Sequence, residues 1–197
     1  MKKNNWFLMP IELYIIIKIR AIRLDLGITA EEISLFLEKN PKYIGHIESN
    51  AHNAKYNDEI LSSIALYLTE RAKEKQKEFI KENDSTIIKT EYNIYDFYPT
   101  EILSDEKVIK EIPPIPSGSG PAPTLNALIE ATDFFKKART LKEIVEKANK
   151  EQSQNWEASN FTRSLERAVK GKNKRLKVIL NDNGLNTYIL LKKPKKD

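Results

Sequence analysis

The chain has 197 residues, 33 basic and 28 acidic side chains, a formal charge of +5 and no cysteine. This length holds one domain or two small ones, and its 40% hydrophobic and 31% charged content supports a buried core while excluding a multi-span membrane protein. Without cysteine there are no disulfides, thiolate metal sites, iron–sulfur clusters or cysteine nucleophile. The charge is uneven. Residues 1–70 carry 8 basic and 9 acidic side chains, and residues 71–120 carry 8 and 10. Residues 121–197 carry 17 and 9, so the excess positive charge sits in the last third. A basic module of this kind suits an anionic partner, most often nucleic acid.

Lys2 and Lys3 precede an apolar run from Trp6 to Ile19, but Pro10 and Glu12 interrupt it and Lys18 and Arg20 close it. The run is shorter than the roughly 18 apolar residues a membrane span needs. The expected location is cytoplasmic, nucleoid-associated and away from the membrane.

Residues 11–26 read as a first helix, with Ile15, Ile19, Ile22 and Leu26 on one face, Pro10 before it and Gly27 after it. The density of isoleucine makes a strand the competing reading. Thr29-Ala30-Glu31-Glu32 fits a capping box opening a second helix, with Ile33, Phe36 and Leu37 on its apolar face. Asn40-Pro41 reads as a cap followed by the first residue of a third helix, which runs to about Ser49 with Ile44 and Ile47 inward. Asn57-Asp58 opens a long fourth helix through Leu61, Ile64 and Leu68. Tyr92, Tyr95, Phe97 and Tyr98 form an aromatic cluster expected to dock on the preceding helices. Residues 112–123, rich in Pro, Gly and Ser, read as an inter-domain linker.

Beyond it, Leu125, Leu128 and Ile129 mark a helix, Thr140-Leu141-Lys142-Glu143 caps another, and Phe161, Leu165 and Ala168 mark a third. Leu176–Leu180 then alternates like a strand, Asp182-Asn183-Gly184 signals a turn, and residues 185–191 return. Three helices and a hairpin is the order of a winged helix-turn-helix domain. The expected fold is thus mainly α, with a helix-turn-helix bundle over 1–83, an aromatic segment and linker over 84–123, and an α+β winged-helix domain over 124–197.

Residues 28–50 resemble the Cro and lambda-repressor-like (xenobiotic-response-element) helix-turn-helix family. Thr29, Glu32, Ile33, Leu37, Tyr43, Ile44, Ile47 and Glu48 fall, without a gap, where the family motif has similar residues. The resemblance spans about residues 11–70. It implies a structural pair between Arg23 and Glu48. It departs from the family at Ala30, where Gln often contacts phosphate, and at Glu38, where the tight turn usually has Gly. Residues 124–193 resemble winged-helix domains through element order alone, which implies a third helix in the major groove and a wing at the backbone.

Candidate contacts follow. In the first domain these are Lys42, Tyr43, His46 and Ser49 on the recognition helix, with Lys55 toward phosphate. In the second, Arg163, Arg167 and Lys170 share a helix face with Asn160 nearby, and Arg can pair bidentately with guanine. Lys172, Lys174, Arg175 and Lys177 run into the wing and suit phosphates. The predicted partners are double-stranded DNA and a second copy of the chain, since such modules act as dimers on two-fold operators. The function expected is transcription regulation. The alternative is a protein-interaction adaptor with a degenerate first domain, favoured by its acidic charge and Ala30.

Enzyme chemistry is not expected, nor any cofactor. His46, Glu48 and His52 match no zinc-ligand spacing. Glu31-Glu32 and Asp105-Glu106 are explained as cap and solvent charge. Gly118 and Gly120 lack the strand-turn-helix setting of a phosphate loop.

Overall fold

The computed structural model describes residues 5–170 and 174–191. The chain is mainly helical with small sheets and divides into two compact units, residues 1–112 and 113–197. Among the described residues no helix is long and apolar enough to cross a membrane.

In the first unit, α1 (Pro10–Leu26) starts with Pro in its first turn, and Glu12 accepts a 2.9 Å hydrogen bond from the Met9 amide. It ends on Gly27, whose φ of 75° is left-handed. Helix prevails over strand because Ile15, Ile16 and Ile19 all bury in a core shared with α4 (Asp58–Lys81), through Leu61, Ile64 and Leu68. Tertiary packing outweighs the modest propensity cost of β-branching.

The capping box of α2 (Ala30–Phe36) forms as expected. The Glu32 amide donates to Thr29 Oγ1 at 3.1 Å, and the Thr29 amide donates to Glu32 at 2.8 Å. Helix α3 (Tyr43–Ile47) is shorter than the predicted 41–49. The Asn40 side chain does cap, but it accepts from the Lys42 amide at 2.9 Å and holds Pro41 in a turn rather than a first helical position. Ser34, fully buried, joins the two helices: its hydroxyl donates to the Ala30 carbonyl at 2.8 Å and accepts from the Ile44 amide at 3.0 Å. The turn between them puts Glu38 at φ 54°, a left-handed conformation that suits glycine. Glu38→Gly is therefore expected to stabilise this unit by about 0.5–1 kcal/mol, read as a higher urea midpoint; an unchanged or lower midpoint contradicts the strain.

The segment after α4 belongs to this unit. Tyr92 exchanges hydrogen bonds with Thr69 at 2.9 and 3.2 Å, and Phe97, in a 3-10 turn over Ile94–Phe97, is fully buried. Tyr95, predicted to dock with the cluster, is instead 82% exposed. Strands β1 (Phe7–Leu8) and β2 (Val108–Ile109) pair antiparallel and bring the end of the segment back to the start.

In the second unit, α5 (Pro121–Ala131) begins inside the predicted linker, with Pro121 in its first turn, and Ile115 and Pro116 before it are buried. The prolines that read as helix breakers act as a helix start. There follow β3 (Arg139–Thr140), α6 (Leu141–Gln152), α7 (Ser159–Val169), β4 (Leu176–Leu180) and β5 (Asn186–Leu190). The sheet order is β3-β5-β4, all antiparallel, with Arg139 opposite Tyr188 and Val178 opposite Tyr188 on the other side. The hairpin turns on Gly184 (φ 71°), and Asn181 Oδ1 accepts from the Asn183 and Leu185 amides at 3.0 and 2.8 Å.

Candidate nucleic-acid interface

Helix α7 separates its side chains by face. Phe161, Leu165 and Ala168 are buried. Asn160, Arg163, Arg167 and Lys170 recur at three, four and three residues, so they form one stripe on the side away from that core. Asn160, Arg163 and Lys170 are exposed and Arg167 is half-buried. The Asn160 side chain accepts from the Glu157 amide at 2.8 Å and so closes the turn that leads into the helix. Lys170 pairs with Glu166 at 2.7 Å. That hydrogen bond and charge hold the Glu166 carboxyl below its ordinary range and raise the Lys170 ammonium.

The turn before α7 is built by residues that sequence reading passed over. Asn149 binds both backbone groups of Trp156, accepting from its amide at 2.7 Å and donating to its carbonyl at 2.9 Å. The Trp156 ring meets Phe161 edge-on at 5.8 Å, and Ser153 takes a left-handed φ of 52°. An Asn seven residues before a Trp is a weak signal without the fold.

The hairpin residues differ from one another. Lys174 and Lys177 are exposed. Arg175, read as a phosphate contact, is placed structurally: its guanidinium donates to Asn126 on α5, its amide to the Ala168 carbonyl at 2.8 Å, and its carbonyl accepts from Leu191 at 2.7 Å. Lys172 lies outside the described residues.

In the first unit, Lys42 and His46 are exposed, while Tyr43 packs half-buried against the core. His46 lies against the His52 ring, with centroids 4.2 Å apart. Ser49 accepts from the Ala51 amide at 3.1 Å. Lys55, its side chain largely exposed, pairs with Glu12. Burial pushes the Glu12 carboxyl up, but Lys55 and the Met9 amide together bring it below the ordinary range.

Beneath α3 lies a buried ionic cluster. Arg23 Nε donates to Glu48 Oε1 at 2.7 Å and its terminal nitrogen to Oε2, while Arg20 lies 3.6 Å from the same carboxylate. Arg23 also donates to the Ile28 carbonyl at 3.1 Å, which ties the end of α1 to the approach of α2.

The loop after α3 is strapped by the residues that follow β2, a feature absent from the sequence reading. Lys110, 3% exposed, donates to the carbonyls of His52 and Ala54 at 2.8 and 2.9 Å. Asn50 exchanges two hydrogen bonds with the Ile112 backbone at 2.8 and 3.2 Å. Burial lowers the Lys110 ammonium from 10.5 to about 8. Between these values the unfolded chain holds a proton that the folded chain has released, so this group makes stability rise with pH across about 8 to 10.5. The urea midpoint, corrected for Lys110→Met measured in parallel, is expected to climb from pH 7.5 to 9.5. Identical pH profiles for the two proteins would remove Lys110 as the source.

Among the described residues, no group of three or more His, Asp or Glu is placed to hold a metal ion. Comparison of the chain with protein-family models, curated proteins and solved structures finds no match.

Proposed function

We propose that the protein is a DNA-binding transcription regulator that acts as a homodimer. Its second unit serves as a winged helix-turn-helix domain and its first as a repressor-like helix-turn-helix bundle. The observation that carries this reading is the stripe of Asn160, Arg163, Arg167 and Lys170 opposite the buried face of α7. In this reading α7 enters the major groove, Arg163 and Arg167 address base edges, and Lys170 and Lys177 meet phosphates. The order of three helices and a hairpin supports the winged-helix assignment. Ser34, which links α2 to α3, and the Arg23–Glu48 pair, which links α1 to the end of α3, support the repressor-like one.

Fluorescence anisotropy of a labelled duplex with the full chain tests this. The logarithm of affinity is expected to fall linearly with the logarithm of salt, as counterion release requires. No binding even at 50 mM salt, or binding indifferent to salt, would contradict it. Glu166→Gln removes a carboxylate beside the stripe and is expected to tighten binding severalfold at low salt, with the gain fading as salt rises. An unchanged affinity at low salt would place α7 outside the contact.

A second reading, a protein-interaction adaptor, is favoured by one patch of the first unit. Leu35 and Leu66 are 55% and 66% exposed, and Phe36 stacks on Tyr67 at 4.5 Å. The two readings part on Lys42→Ala/His46→Ala. A changed sequence preference in selected duplexes supports base reading by α3, and an unchanged preference supports the adaptor.

A further inference from the structure

We infer that the outer edge of β4 is the surface through which two copies of this chain associate, pairing antiparallel about Val178. Three observations on the hairpin lead there. The first is the hydrogen-bond phase. Asn181 donates to Leu185, and Leu191 donates to Arg175, which fixes residues 175, 177, 179 and 181 as those bonded to β5. The amides and carbonyls of Leu176, Val178 and Leu180 therefore point away from the sheet, on a strand that ends its sheet and holds neither Pro nor Gly. No described residue pairs with them. Such an edge is a template for another strand.

The second is the apolar content of the same residues. Leu176, Val178 and Leu180 lie on the face that α7 covers, yet Val178 is 38% and Leu180 69% exposed. Leu185, across the hairpin turn, is 57% exposed. A wing built to touch phosphate would carry basic residues at this tip. Here the tip reads Leu180-Asn181-Asp182-Asn183-Gly184-Leu185.

The third is charge, which selects a second copy as the occupant. When Val178 pairs with its own counterpart, Leu180 of each chain meets Leu176 of the other and comes under the other copy's α7. Lys177 then lies across from Ile179, so no like charges oppose, and its aliphatic stem covers that side chain. Just beyond the paired strands, Asp182 in the hairpin turn of each chain comes to the same end of the pairing as Lys174 of the other. The two-fold arrangement thus makes hydrogen bonds, apolar contact and two opposite-charge pairs in a single register. It also draws Lys174 away from the phosphate contacts predicted for it.

The chain has no cysteine, so single introduced thiols report the register cleanly. The experiment is mild oxidation of the full-length Val178→Cys and Leu180→Cys proteins without nucleic acid, read on non-reducing gels, alongside sedimentation velocity of the unmodified protein and of Val178→Lys. Directly paired residues sit about 5.5 Å apart between Cα atoms, within disulfide reach. Val178→Cys is therefore expected to form a covalent dimer. Residues at position 180 lie several residues apart along the paired strands, beyond that reach, so Leu180→Cys is expected to stay a monomer on the gel. The unmodified protein should sediment as a dimer, and Val178→Lys, which sets two ammonium groups face to face, should dissociate it at least tenfold more readily. A monomeric unmodified protein, equal cross-linking at both positions, or a dimer indifferent to Val178→Lys would each overturn the inference. Circular dichroism confirms that each variant is folded. Because no DNA is present, failure here and failure of DNA binding are separate results.

Discussion

Glu48→Ala is expected to cost the first unit about 3–5 kcal/mol, the typical penalty for removing one partner of a buried ion pair. The carboxylate is 4% exposed and faces two guanidiniums, Arg20 and Arg23, which are 6% and 1% exposed. Without it, positive charge remains in a core lined by isoleucine. Burial already holds the Tyr56 phenol well above its ordinary range, with Glu48 adding to the rise, so that ring gives the guanidiniums no counter-charge. For a unit of this size the loss corresponds to a fall in Tm of roughly 10–25 °C. Differential scanning calorimetry of the full chain measures it. A fall of only a degree or two would mean that water reaches the cluster and screens it. Because α3 rests on this cluster, its exposed residues Lys42 and His46 should lose their fixed placement at the same time.

The Arg163→Ala/Arg167→Ala protein is expected to bind duplex DNA at least thirtyfold more weakly at low salt, on the basis of about 1–3 kcal/mol per well-placed arginine at a base edge. Its affinity for the preferred site should fall toward that for random duplex, because these residues carry the sequence-dependent contacts. Lys177→Ala, in contrast, should weaken all duplexes alike and lower the salt slope by about one. A double variant that loses affinity evenly for every sequence would reassign the two arginines to the backbone. An unchanged affinity would remove α7 from the interface. Calorimetric stability should change little, since Phe161, Leu165 and Ala168 on the opposite face keep the helix packed.

Much of this architecture is legible where the physics is local. Thr29 with Glu32, and Thr140 with Glu143, announce helix starts because donor and acceptor lie three residues apart. The α7 stripe follows from helical spacing alone. The Arg23–Glu48 pair bridges 25 residues and was reachable only through the resemblance of residues 28–50 to a family pattern. Contacts with longer reach were not legible. Strand β3 has two residues and exists because Thr187 and Tyr188 lie beside it. Lys110 carries no local signal of its role, because its carbonyl partners are 56 and 58 residues away. Arg175 fitted a basic run, but Asn126, 49 residues before it, gives it a structural task. The Pro/Gly stretch misleads for a different reason. Gly120-Pro121 carried the signal of proline in a first helical turn, and the surrounding prolines obscured it.

The α7 stripe is tested most directly by backbone amide chemical-shift mapping of the full chain titrated with duplex DNA. The shifts should concentrate on Asn160, Arg163, Arg167 and Lys170, extend to Lys177, and spare the buried face at Phe161 and Leu165 beyond small secondary changes. Shifts absent from α7, or concentrated around Leu35, Phe36 and Leu66 of the first unit, would contradict the proposed interface.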